Sequence, residues 1–252
     1  MSDFAFAGLN LAITTPFDAQ GRIDFQRFGQ LIERYIEAGV DGFVLSSGTG
    51  MHVYLSGDES SELIAYGARV IAGRARVIAQ TSALLVEEVV ERTRRAADAG
   101  ADGVMVLPPF LRQLCEIPNF IGVKDSSGDL AAQASLMRTG LPVMNGADPL
   151  APYALFAGCA GLIWGGANMA PKTCVALVRA AREKRWDDAR EIWRQLEPVM
   201  SLIWQGDYVQ SVYAGAQITG YDAGQPRRPL ARLPAQKTEA LREALSALHD
   251  PL

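Results

Sequence analysis

The chain has 252 residues, 49% of them hydrophobic and 21% charged, the profile of a globular protein long enough for one large α/β domain. Its 24 basic and 28 acidic residues leave a net charge of -4 with no extended Lys/Arg run, so no nucleic-acid partner is expected. No apolar run reaches ~18 residues, which excludes a helical membrane span, and the opening MSDFAFAGLNLAITTPF lacks a signal-peptide pattern, so a cytoplasmic protein is expected.

Short apolar, β-branched runs recur along the chain, each followed by a helical stretch. The expected strands are Leu9–Thr15, Gly42–Ser46, Arg76–Thr81, Gly103–Leu107, Phe120–Lys124, Leu141–Met144 and Gly161–Trp164. Between the first three lie amphipathic segments, FQRFGQLIERYIEAG and SSELIAYGARVIAG, with apolar residues three and four apart. Gly39, Gly73, Gly100 and Gly140 stand where helices should stop. Strands apolar on both faces and alternating with helices imply a parallel sheet, and this many repeats favour a TIM-type (β/α) barrel.

A complete barrel has eight strands, and only seven are found. The spacing collapses near Pro109, where the ten residues FLRQLCEIPN separate two expected strands. A parallel crossover needs at least ~10–12 residues, so a strand-helix unit (strand five) is expected to be missing around residues 110–116. Residues 1–168 are read as the shortened barrel. Residues 169–252 are its last helix and a C-terminal helical extension of the same domain. They comprise the helix-forming PKTCVALVRAAREKRWDDAREIWRQLEPVMSLIW, the proline-containing connector GYDAGQPRRPLARLP and the helical KTEALREALSALHD.

Candidate chemistry begins with what is absent. Cys115, Cys159 and Cys174 match no metal or redox spacing, and His52 and His249 are too few for a histidine zinc site, so no metal is expected. Of the four lysines, Lys172, Lys184 and Lys237 lie in polar helical contexts, whereas Lys124 ends the apolar run FIGV. That position, at the C-terminal end of a parallel strand, is where barrel enzymes place reacting groups. A lysine withdrawn from water loses its proton more readily and can attack a ketone to form a Schiff base. A structural lysine paired with Asp125 or Asp129 is the other reading of these residues. Three further strand ends, SSGTGM (Ser46–Met51), NGADPL and GLIWGGAN (Gly161–Asn168), place hydroxyls and glycines on the same face, as either a small-ligand site or tight turns.

The motifs ITTPF, SGTGM, VLPPF, IPNFIGVKDSSGD, NGAD and GLIWGGAN appear in an order that resembles the dihydrodipicolinate synthase / N-acetylneuraminate lyase family of class I aldolases and lyases. The resemblance runs from about Leu9 to the C-terminal helices. It implies a (β/α) barrel with a C-terminal helical extension, a homo-oligomer (tetramer or dimer), a pyruvate or 2-keto acid substrate, and no cofactor. Carried onto this sequence, it makes Lys124 the Schiff-base lysine. Thr49, with Gly48 and Gly50 beside it, becomes the holder of the substrate carboxylate, and Gly146 and Ile163 line the pyruvate site.

Departures from the family pattern shape the expected function. Gly48 and Met51 replace a threonine and a glutamate of the family loop, and Phe110 stands where many members carry a tyrosine. The segment bearing the Tyr-Asn motif, with the tyrosine that usually relays protons, has no counterpart between VLPPF and IPNF. His52 and Tyr54 are the nearest substitutes by sequence. The expected function is a Schiff-base lyase or aldolase acting on pyruvate or a 2-keto-3-deoxy sugar acid. The alternative is an impaired or non-enzymatic member that has lost the tyrosine relay.

Overall fold

A computed structural model of the chain describes residues 6–106 and 121–248. Phe110, Cys115, Phe120, His249 and the segment 110–116 around which the missing unit is expected lie outside the described residues. Among the described residues seven strands form one sheet: β1 (Gly8–Ala12), β2 (Gly42–Leu45), β3 (Arg76–Gln80), β4 (Gly103–Met105), β5 (Val123–Asp125), β6 (Val143–Asn145) and β7 (Gly161–Trp164). Their spatial order is β4-β3-β2-β1-β7-β6-β5, with every pair parallel. The first strand therefore lies beside the last, as a curling β/α sheet requires. Among the described residues β4 pairs only with β3, and β5 only with β6.

The helices are α1 (Phe25–Glu37), α2 (Gly57–Ile71), α3 (Val86–Asp98), α4 (Leu130–Met137), α5 (Ala151–Ala157), α6 (Pro171–Arg182), α7 (Trp186–Trp204), α8 (Tyr208–Ile218) and α9 (Ala235–Ser246). Local chemistry sets where they start and stop. Asp24 accepts the Arg27 N–H at 2.9 Å to begin α1, and Ser56 and Glu59 form a reciprocal capping box at α2. The anticipated stops Gly39, Gly73, Gly100 and Gly140 all have positive φ. The helical run that begins at Pro171 divides at Lys184, whose φ is 59°.

Alternation along the strands separates two layers. Leu9 and Leu11 of β1 belong to the large core beneath the helices, together with Phe43, Leu45, Leu162 and Trp164. Ala12, Val44, Ile78, Met144 and Ile163, one from each of five strands, form the inner layer over Phe6. The expected first strand ends three residues early because Thr14 and Thr15 bond elsewhere. The Thr14 N–H donates to Asn168 Oδ1 at 3.2 Å and the Thr15 N–H to Tyr213 Oη at 3.1 Å. Helix α8 was not anticipated; its Gly, Ala, Ser and Gln residues carry little helical periodicity.

Candidate active site

At the C-terminal ends of the strands lies a cavity of about 480 Å³. Lys124, Gly48, Thr49, Gly146 and Ile163 line it, so the fold brings together five residues separated by more than a hundred positions of sequence. A second cavity of about 280 Å³ sits between α1, α6 and α9, away from these strand ends.

Lys124 is carried by β5, in register with Met144 of β6. A Cβ at Gly146 would collide with Lys124 Cε and Ser126 Oγ, so glycine is required for the lysine to lie across the β6 turn. The side chain is open to the cavity, yet it stands deep within the body of the protein. Burial holds its ammonium below the ordinary lysine range, with the charge of Asp148 pulling the other way. Among the described residues Lys124 makes no ion pair or hydrogen bond. Asp125 and Asp129, the partners of the structural reading, are engaged elsewhere. Asp125 accepts the Ser127 N–H at 3.0 Å, and Asp129 caps α4 through the N–H groups of Ala131 and Ala132.

The loop after β2 turns sharply, with Ser46 at φ 54° and Met51 at φ 67°. Buried side chains hold it there: Ser46 Oγ lies 2.8 Å from Ser60 Oγ and 3.3 Å from His52 Nδ1. His52 Nε2 is 2.9 Å from the Ser82 carbonyl, and burial lowers the imidazole pKa, with Arg92 adding to the shift. His52 is thus a brace behind the loop and does not line the cavity; neither does Tyr54, whose carbonyl accepts from Arg227 at 2.8 Å. Gly50 also departs from expectation. Its N–H donates to Ser47 Oγ at 3.2 Å and its carbonyl accepts from Thr15 Oγ1 at 2.8 Å, which places it behind the cavity wall.

Several cavity residues were missed from sequence. Ser126 follows the lysine strand, while Trp204, Tyr208 and Val209, from the end of α7 and the start of α8, cover the mouth. Beneath the wall Asp148 is buried; its Oδ2 accepts from Gly166 N–H at 2.9 Å and from Tyr208 Oη at 2.8 Å. Burial pushes the Asp148 carboxyl up to about 6, against the pull of these hydrogen bonds and of Lys124. The sequence reading took NGADPL only as a glycine-bearing strand end, so Asp148 was missed as well, and nothing local marks Tyr208 as its partner sixty residues on.

The Dihydrodipicolinate synthetase family model matches residues 5–114 and 111–248. The chain belongs to this family. A 4-hydroxy-tetrahydrodipicolinate synthase of Pseudomonas putida (strain W619) is 31% identical over 237 positions, covering 77% of this chain and 81% of the relative. The enzyme of the same name from Corynebacterium aurimucosum is 30% identical over 283 positions, covering 95% of this chain and 94% of the relative. The crystal structure of the chloride-inhibited dihydrodipicolinate synthase from Acinetobacter baumannii, complexed with pyruvate, superposes with a TM-score of 0.89 at 26% identity. That superposition spans 96% of this chain and 98% of the other. The family is one of class I lyases, and Lys124, Thr49 and Gly146 lie in the motifs that carry the resemblance.

Proposed function

We propose that this family member is a Schiff-base-forming lyase or aldolase acting on pyruvate or a 2-keto-3-deoxy sugar acid, with Lys124 as its nucleophile. The observation that carries the reading is an amine of lowered pKa, in no ion pair or hydrogen bond among the described residues, lining the same cavity as Thr49. Lys124 Nζ attacks the C2 ketone, and the resulting carbinolamine loses water to give an iminium. That cation accepts the electron pair released when a bond at C3 breaks.

The substrate carboxylate is assigned to Thr49. Since Gly50 N–H is engaged by Ser47, the donors that remain in this loop include the N–H groups of Gly48 and Thr49 and the hydroxyls of Ser47 and Thr49, the last of which also bonds the Tyr208 phenol. Gly146 and Ile163 are assigned to the floor beneath the keto group. The departures at Gly48 and Met51 favour a sugar-acid lyase over the synthase reaction.

The same reading includes a shortened barrel, made by residues 1–168, with residues 169–252 as its last helix and C-terminal extension. Two features support a missing strand-helix unit around residues 110–116. The family match divides into segments that meet at residues 111–114. The alignment to the Corynebacterium relative spans 283 positions in a chain of only 252, which leaves about forty without a counterpart here. A homo-oligomer, tetramer or dimer, is supported by Leu84, Leu85 and Val86, which stand exposed together before and at the start of α3.

The test is turnover on a panel of 2-keto-3-deoxy acids. Wild type should cleave one of them to pyruvate, and Lys124→Ala should lose at least ~10³-fold in rate because the covalent route is gone. An unchanged rate in Lys124→Ala would refute the assignment. No turnover of any panel member by folded wild type would favour the impaired alternative, which the loss of a barrel unit motivates.

A further inference from the structure

A lysine alone does not complete imine chemistry: protons must leave and return at carbon and oxygen. Of the described residues that line the cavity, only Lys124 and Tyr208 carry groups that titrate. The Tyr208 phenol is not an incidental wall. It donates to Asp148 Oδ2 at 2.8 Å, and a Cβ at Gly165 would collide with Tyr208 Oη and stand 2.6 Å from Thr49 Oγ1. Glycine at 165 therefore lets the phenol oxygen sit beside the threonine assigned to the substrate carboxylate. Behind the phenol, Asp148 Oδ1 is buried and, among the described residues, meets no partner at full hydrogen-bond geometry, the Trp164 indole being the donor that faces this carboxyl, although Oδ2 has two. An anionic carboxylate half satisfied in this way, one hydrogen bond from a cavity, is poised to accept a proton through that bond.

We propose that Tyr208 is the general acid–base residue of this site and that Asp148 is its positioning residue and proton store. The proposal rests on the Schiff-base reading above. In the step it describes, the pyruvate iminium on Lys124 loses a C3 proton to Tyr208 Oη as the phenolic proton passes to Asp148 Oδ2. The C3–H electron pair becomes the C2=C3 bond, and the pair of the C=N bond settles on nitrogen, giving the enamine. Reversal returns a proton to C3. The phenol never has to exist as a free phenolate, which matters because burial, with the Asp148 charge, pushes its pKa well above the ordinary tyrosine value. Asp148 is faced by Lys124 from β5, Tyr208 from α8, the Trp164 indole from β7 and Cys174 from α6, whose thiol is held neutral by burial.

The relay is tested with pyruvate alone, by following exchange of its methyl protons for solvent deuterium by proton NMR, alongside borohydride trapping of the imine. Wild type should exchange and should trap at Lys124. Tyr208→Phe should still trap but exchange ~10²–10⁴-fold more slowly, the usual worth of a general acid–base group. Asp148→Asn should also exchange slowly. The wild-type rate should fall as pH drops through about 6, where Asp148 takes up its proton, and the residual rate of Asp148→Asn should lack that limb. Exchange by Tyr208→Phe within about threefold of wild type would overturn the relay. So would a wild-type rate that is flat through this pH range, a result that needs no variant to fold. A wild type that traps pyruvate without exchanging it would remove the relay and leave the Schiff-base reading standing; one that does not trap would remove both.

Discussion

At Asp148 the chain buries a carboxyl against aromatic side chains, and this burial, only partly offset by Lys124 and by hydrogen bonds, opposes folding once the acid ionises. Its pKa of about 6 in the fold stands above the 3.8 of an unperturbed aspartate. The stabilising contribution of this group is therefore complete below about 4 and is lost as pH rises through 6. A rise of that size on a fully buried carboxyl corresponds to about 3 kcal/mol. Asp148→Asn does not titrate, so its stability relative to wild type should improve by about that amount between about pH 4 and about pH 8, read by chemical denaturation of both proteins. A difference that is constant with pH would show that the carboxyl is not raised. Residue identity alone could not reveal this. Lys124 was legible because an amine after FIGV contradicts its apolar context. His52 was misleading for the opposite reason: it lies beside the loop in sequence, but its ring turns away from the cavity to brace Ser46 and the Ser82 carbonyl.

Among the elements, strands buried on both faces were the most legible. The bounds of Gly161–Trp164 in the structure are those of the sequence reading, and β2, β3 and β4 begin at the residues expected. Their ends differ where a polar backbone group finds a distant partner, as Thr14 and Thr15 do with Asn168 and Tyr213. Such pairings join opposite ends of the chain and leave no local trace. Helix α8 escaped because small and polar residues dilute its apolar stripe, and with it went Tyr208. Strand position also sets local stability. Val104 of β4 is 38% exposed, whereas every residue of β2 is buried. Amide hydrogen exchange should therefore be slowest in β1, β2 and β7 and clearly faster in the short outer strands β4 and β5. Equal protection across all seven would mean that β4 and β5 are as firmly held as the centre of the sheet.

Over the whole molecule, parallel alternation gathers the site. Because each described strand runs the same way, the residues just past β2, β5, β6 and β7 open onto one cavity, and the C-terminal helices supply its cover through Trp204 and Tyr208. The family and its class of fold were legible in motif order, since Lys124 and the glycine turns sit in compact signatures. The cover was not, because α7 and α8 reach the cavity only through tertiary packing. The central claim is that this cavity forms an imine on Lys124 despite the proposed loss of a barrel unit. Borohydride reduction in the presence of pyruvate, read by intact mass and peptide mapping, tests it most directly. A single stable adduct on Lys124 is the predicted result; a folded protein that yields no adduct, or one on another lysine, would contradict it.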